Sequence, residues 1–470
     1  MLFNSLEYFV FLAASLLVYY AIPHRGQTIW LLAASYAFYG FWDWRFLSLL
    51  LASTVIDFFA ARAIERARQA GRPNRMRLAL GTSLSANLLF LGFFKYFGFF
   101  VESAQAAART LGVELSVTTL HIILPVGISF YTFQTMSYTF DVYRGRIKPA
   151  GDLLEFGLFV AFFPQLVAGP IERATSLLPQ IQRPRVVTQS DWDEGLFLLF
   201  VGLFRKVVIA DTAGALADEY FAAPGEYTSF QLWCGLVLYS FQIYNDFAGY
   251  SDMARGSARL LGFKLVRNFQ HPYFALTPSD FWRRWHISLS CWLRDYLYIP
   301  LGGNRHGWLR TQRNLMLTML LGGLWHGASW NFVFWGGLHG TYLVIHHALQ
   351  GKERVDAEQL PAWRALAQGV FLFALVTFTW LFFRSPDSAT TLAYLQGLSA
   401  FDLSGEGAAV PVMALGALML AIDIPQAVTG DETAMLHWPV PARAALASAG
   451  MLLFLISGNA QNEPFIYFQF

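Results

Sequence analysis

The chain has 470 residues, of which 55% are hydrophobic, 17% aromatic and only 14% charged, with a formal net charge of +2. An ordinary soluble domain carries about 25% charged residues, so this chain lacks the polar side chains to clothe a water-soluble globule. Its basic residues are scattered between apolar segments rather than gathered on one domain, which excludes a nucleic-acid-binding module.

Apolar residues come in long runs, among them Leu2 to Ile22, Leu78 to Val101, Phe230 to Tyr244, Phe332 to Ile345 and Gly369 to Phe383. Runs near 20 residues match a hydrocarbon layer about 30 Å thick. A backbone in lipid must satisfy its own hydrogen bonds, and the roughly ten-residue alternation of a barrel is absent. The pattern therefore predicts an all-α polytopic membrane bundle of about eleven transmembrane helices plus re-entrant and interfacial helices. With no soluble-type linker and no internal repeat, residues 1–470 read as a single membrane domain.

The first run has no basic residues before it, stays apolar for about 20 positions and lacks a small-residue cleavage site, so it reads as a retained first helix. Between Arg62 and Arg77 stand six arginines and one glutamate, the signature of a cytoplasmic loop. The same holds for Arg144, Arg146 and Lys148, and for Arg305, Arg310 and Arg313. Counting back from the first basic loop places the N-terminus outside the cytoplasm. The segment Phe162 to Pro179 is too interrupted by proline and glycine to be a clean span; it reads either as a re-entrant element lining a pocket or as a short surface loop.

Asp57, Lys95, Arg205, Lys206, Asn245, Asp246 and Asp252 are polar residues in apolar surroundings, where such groups pair or line a pathway. Tyr244 to Asp252 forms a polar knot suited to a cavity wall. In TPSDFWRRWHISLSCWLRDYLYIPLGGN, Thr277, Pro278 and Asp280 fit the start of a helix. Continued to Pro300, that helix places Arg283, His286, Ser290 and Arg294 on one cationic face, as in an anion-gathering or an interfacial anchor helix.

In GGLWHGASWNFVFWGGLHG, His326 lies in a long apolar context beside glycines that would let an extended substrate approach the backbone. An imidazole there needs a partner or a watered cavity. It either packs against a neighbouring helix or accepts a proton from an attacking hydroxyl. His339, thirteen residues on, faces away from it if the helix is continuous. Ser385 to Ala409 reads as an exposed connection. Cys234 and Cys291 read as packed thiols, and adjacent His346 and His347 would share a metal awkwardly, so no metal site is expected. The Gly-Lys-Ser/Thr loop, the GxSxG elbow and HExxH are all missing. A polymer or lipid transporter is the reading from another class, for which matched broken helices in repeated halves would be expected.

FWRRWHISLSCWLRDYLYIPLGGNR, LGGLWHGASWNFVFWGGLHG, YNDFAGYSDMARG and the ending EPFIYFQF together resemble the membrane-bound O-acyltransferase family, in its bacterial alginate O-acetyltransferase branch. The resemblance covers most of the chain. It implies helices around a central tunnel, with His326 as the central histidine and His286 as a second functional position. Arg283, Arg294, Trp325, Asn331 and Asp246 are the candidate substrate-binding residues. It further implies a thioester donor, acetyl-CoA or an acyl-carrier protein, and no permanently bound cofactor. The implied partners are membrane lipids, a polysaccharide acceptor and extracytoplasmic SGNH-hydrolase-like proteins, and the implied location is the bacterial inner membrane. D-alanine transfer to teichoic acid, or acetyl transfer to peptidoglycan or cellulose, is the neighbouring chemistry.

Overall fold

The computed structural model describes residues 1–115, 120, 122–167, 169–350, 360–457 and 465–466, so most of the EPFIYFQF ending lies outside the described residues. Among the described residues the chain is helical without a β-strand, and it is a polytopic membrane fold. Five stretches are long and apolar enough to cross a bilayer: His24–Gln69, Pro73–Thr110, Ala362–Arg384, Glu406–Thr429 and Val440–Ser457. The expected number of spans was higher. Part of the difference is that the first stretch is two helices, broken where Asp43 turns extended (φ −160°, ψ 108°) and caps the amide of Arg45. Part lies in long helices too polar to count by hydropathy, such as Ser229–Leu260.

Contacts gather the chain into two compact units, residues 1–195 with 254–266, and 196–253 with 267–470. The first holds α1 (Leu6–Ala21), α2 (His24–Asp43), α3 (Leu47–Gln69), α4 (Pro73–Leu91), α5 (Phe97–Thr110), α6 (Ile128–Tyr143), α7 (Leu153–Ala161), α8 (Phe163–Leu166) and α9 (Ala174–Gln182). Helix α6 is buried on nearly every face. Its polar side chains meet a hub at Asp57, fully buried, which accepts hydrogen bonds from Ser83, from Asn87 at 2.8 Å and from Thr139 at 3.3 Å. Hydroxyls and an amide thus satisfy this carboxyl, where the sequence pointed to pairing with another ion.

The interrupted segment after Ala161 is buried, which excludes the surface-loop alternative. Phe162 leaves helical geometry (φ −50°, ψ 110°). The orphan amide of Phe163 donates to Ser35 Oγ at 3.0 Å, Gln165 reaches back to the Phe159 carbonyl at 2.6 Å, and Glu172 accepts from the Val266 amide at 2.6 Å. Side chains replace the ladder that proline and glycine interrupt.

The second unit contains α11 (Asp211–Ala222), α13 (Pro278–Arg284), α14 (Ile287–Leu293), α15 (Trp308–His326), α16 (Trp330–Gln350), α17 (Ala362–Arg384), α18 (Ser388–Ser399), α19 (Ala409–Thr429) and α20 (Val440–Ser457), with α10 (Gln189–Phe204) and α12 (Ser229–Leu260) contributing residues to both units. The expected loop from Ser385 to Ala409 contains α18. Pro386 and Asp387, read as loop residues, are instead a helix start: Asp387 accepts from the Thr390 amide at 2.7 Å. Residues 385–387 and 400–405 remain irregular.

The α15–α16 pair is closely packed. A Cβ on Gly323 would lie 2.2 Å from the Phe332 carbonyl oxygen, and one on Gly336 would lie 2.3 Å from that of Met319. These glycines bring two helix backbones together. Their role is helix contact, a correction to the expectation that the glycine around His326 opens space for substrate.

Candidate functional site

The histidine corner starts from the helix signals read in the sequence. Thr277 Oγ1 accepts from the Asp280 amide at 3.1 Å and Pro278 stands in the first turn of α13. The helix then stops eight residues on, at an unmarked position. Trp285 is extended and His286 is left-handed (φ 41°, ψ 57°), after which α14 begins. A left-handed conformation costs a residue other than glycine roughly 1–2 kcal/mol and persists only where the surroundings over-determine it. Here they do. The Ile287 amide donates to the Asn268 carbonyl at 2.8 Å, the Gln270 amide to that of Arg284 at 3.0 Å, and Ser288 Oγ to Asn268 Oδ1 at 2.6 Å. Asn268 in turn donates to Ser251 at 3.1 Å.

The single amphipathic helix from Thr277 to Pro300 is therefore corrected to two short helices meeting at a corner. Arg283 and Arg294 do not share a face with His286. Both arginines are exposed, and Arg294 pairs with its neighbour Asp295 at 2.7 Å, while His286 is wholly buried.

His326 is the last residue of α15, where the chain turns extended at Gly327. It is 3% exposed. Trp325 and Trp335 each stand 5.1 Å from its ring, edge to face, Phe383 stands 5.4 Å away, and the His286 ring is 6.4 Å away. Phe247 of α12 presses edge-on against His286 at 4.6 Å. The two imidazoles that the sequence separates by forty residues thus share one aromatic chamber, and burial of both rings there strengthens charge–dipole interactions.

His339 belongs to this neighbourhood too. Because the chain turns between α15 and α16, it does not face away as a continuous helix would require. It contacts Trp335 at 4.8 Å, and its Nε2 lies 3.0 Å from Thr379 Oγ1.

Of the other candidates, Trp325 lines the chamber, 6.0 Å from His286. Asn331 is a strut, donating to the Ser385 carbonyl at 3.1 Å. Asp246 belongs to a buried ionic network. It holds Lys206 at 2.8 Å and accepts from the Ile466 amide at 2.7 Å. Lys206 also reaches Asp211 at 2.7 Å, and Arg205 binds Asn245 at 2.9 Å and Asp423 at 2.5 Å, with Tyr244 donating to Asp423 at 2.9 Å. The pairing expected for Arg205, Lys206, Asn245 and Asp246 is therefore present. Sequence reading missed Asp423 and Asp211 as partners, and Phe247, Trp335 and Phe383 as chamber walls.

Fold and site together define a multi-pass membrane protein with two histidines enclosed in one aromatic chamber. The sequence model of the membrane-bound O-acyltransferase family matches residues 149–384, a range that contains both. The chain is 45% identical over 388 residues to the probable alginate O-acetylase AlgI of Azotobacter vinelandii, covering 82% of this chain and 76% of that one. It is 37% identical to the protein of the same name from Pseudomonas putida, covering 100% of both. To the peptidoglycan O-acetyltransferase of Helicobacter pylori it is 38% identical over 433 residues, covering 85% and 80%. The chain belongs to the membrane-bound O-acyltransferase family, and it is an O-acyltransferase.

Proposed function

We propose that this enzyme moves an acetyl group from a cytoplasmic thioester, acetyl-CoA or an acyl-carrier protein, toward hydroxyls of an alginate-like exopolysaccharide outside the bacterial inner membrane. The full-length similarity to alginate O-acetylases supports the acceptor class. The observation that carries the chemistry is the approach of the buried His286 and His326 rings to 6.4 Å within one aromatic cluster.

In this reading a nitrogen of His326 takes the proton from an acceptor hydroxyl as its oxygen attacks the thioester carbonyl. The tetrahedral intermediate collapses, the carbon–sulfur bond breaks, and the departing thiolate takes the proton back. The carbonyl end of a helix carries partial negative charge and favours a cation beside it, so the position of His326 at the end of α15 favours the transient imidazolium. His286 orients the hydroxyl or the thioester from the opposite wall. The acceptor that meets His326 is either the polymer or a serine of an extracytoplasmic SGNH-hydrolase-like partner that completes the transfer. The N-terminus lies outside, with the arginine-rich loop after α3 in the cytoplasm.

The test is polymer-bound acetate in a strain producing alginate with this chain as its one acetyltransferase of the family. Acetylation restored by the wild-type chain, and lost with deletion of the gene, supports the reading. Unacetylated alginate alongside newly acetylated peptidoglycan would favour a second reading, which the 38% identity to the Helicobacter pylori enzyme supports independently.

A further inference from the structure

The first unit contains a groove unrelated to the histidine chamber. It lies between α3 and α4, has a volume of about 890 Å³ and opens to the surroundings. This falls within the roughly 300–1,000 Å³ range of small-molecule sites. Its inner wall is apolar, including Val55, Phe59, Ala63 and Leu78, and Phe59 and Leu78 are 58% and 71% exposed. Its mouth carries Arg66, Arg72 and Arg75. All three are exposed, no acidic residue lines the groove, and among the described residues no ion pair engages these arginines. Glu65, the acid nearest in sequence, is turned to Arg68.

The dimensions fit one class of ligand. From Val55 to Ala67 along α3 is about 18 Å at 1.5 Å per residue, and one leaflet of a hydrocarbon layer about 30 Å thick is about 15 Å deep. The groove thus runs from a cationic mouth through the depth of a single leaflet, with walls that are apolar apart from Thr82. A soluble anion would use the mouth and leave the apolar wall empty. A zwitterionic lipid would present its phosphodiester together with its own ammonium, bringing no net negative charge to a mouth of three guanidinium groups with no acidic residue beside them. We propose that the α3–α4 groove binds one anionic phospholipid, its phosphodiester held by Arg66, Arg72 and Arg75 and one acyl chain laid along the wall past Ala63 and Phe59.

The test uses the full-length chain in detergent, with native mass spectrometry and equilibrium titration against phosphatidylglycerol, phosphatidylcholine and glycerol phosphate as separate probes. One phosphatidylglycerol should remain bound per chain. A juxtamembrane basic residue contributes roughly fivefold in affinity for an anionic lipid, so Arg66→Gln, Arg72→Gln and Arg75→Gln together should weaken binding about a hundredfold. Ala63→Phe keeps every charge, fills the groove at an exposed position, and should weaken binding at least about tenfold. Equal affinity for phosphatidylcholine, unchanged phosphatidylglycerol binding by Ala63→Phe, or full competition by glycerol phosphate would each overturn the proposal. So would capture of an acidic carrier protein that is lost with the three arginines while phosphatidylglycerol binding is unaffected.

Discussion

Three residues in this molecule, His286 and the buried Arg205–Asp423 pair, are held where burial works against their chemistry. His286 combines complete burial with a left-handed backbone, and that combination needs the Asn268 bracket to persist. Asparagine tolerates left-handed geometry better than most residues, so His286→Asn removes the ring with little change in backbone strain. That variant should accumulate to wild-type levels, with acyl transfer reduced by about tenfold to a hundredfold, the scale expected for loss of an orienting group; undiminished transfer at equal protein level would demote the ring to packing. The buried Arg205–Asp423 pair makes a different prediction. Removing one partner of a buried ion pair strands the other charge and costs about 3–5 kcal/mol, whereas replacing both with apolar residues is often neutral. Asp423→Asn should lower the unfolding midpoint in detergent, and Arg205→Met with Asp423→Leu should recover most of it. The sequence displayed Arg205 as a polar residue in an apolar run, but its carboxylate partner lies 218 positions away, beyond the reach of any local pattern.

At the scale of elements, helix signals were readable where they depend on neighbouring residues and unreadable where they depend on packing. The Thr277–Pro278–Asp280 start of α13 was legible because a cap is a local device. The corner at His286 was not, since Trp285, His286 and Ile287 contain neither glycine nor proline to announce it. The glycine near His326 was legible as a lack of bulk, but its consequence, close contact between α15 and α16, required knowing that the chain turns between them. Two glycine substitutions separate these meanings. Gly81 in α4 has nothing within 4 Å of where a Cβ would stand, so Gly81→Ala should stabilise by about 0.5–1 kcal/mol through helix propensity. Gly336→Ala drives a Cβ to 2.3 Å from a backbone oxygen and should destabilise by about 1–3 kcal/mol or more. Thermal unfolding of both proteins in one detergent checks the opposite signs.

For the whole molecule, composition excluded a soluble globule, and the runs of about 20 apolar residues without the alternation of a barrel then pointed to membrane helices. Orientation rests on arginine placement. With Cys234 and Cys291 replaced by alanine, a cysteine at exposed Asn74 should react with a membrane-impermeant thiol reagent in inverted vesicles and stay unlabelled in intact spheroplasts. Labelling of intact spheroplasts would reverse the topology and put the thioester on the wrong side. The central claim is that one imidazole, closed in by Trp325, Trp335 and Phe383, handles the proton of acyl transfer. Its most direct test is single-turnover transfer of labelled acetyl from a thioester to an acceptor alcohol by purified His326→Gln beside the wild-type enzyme. A loss of about 10²- to 10⁴-fold with donor binding intact is the predicted result; transfer at the wild-type rate by the variant would contradict it.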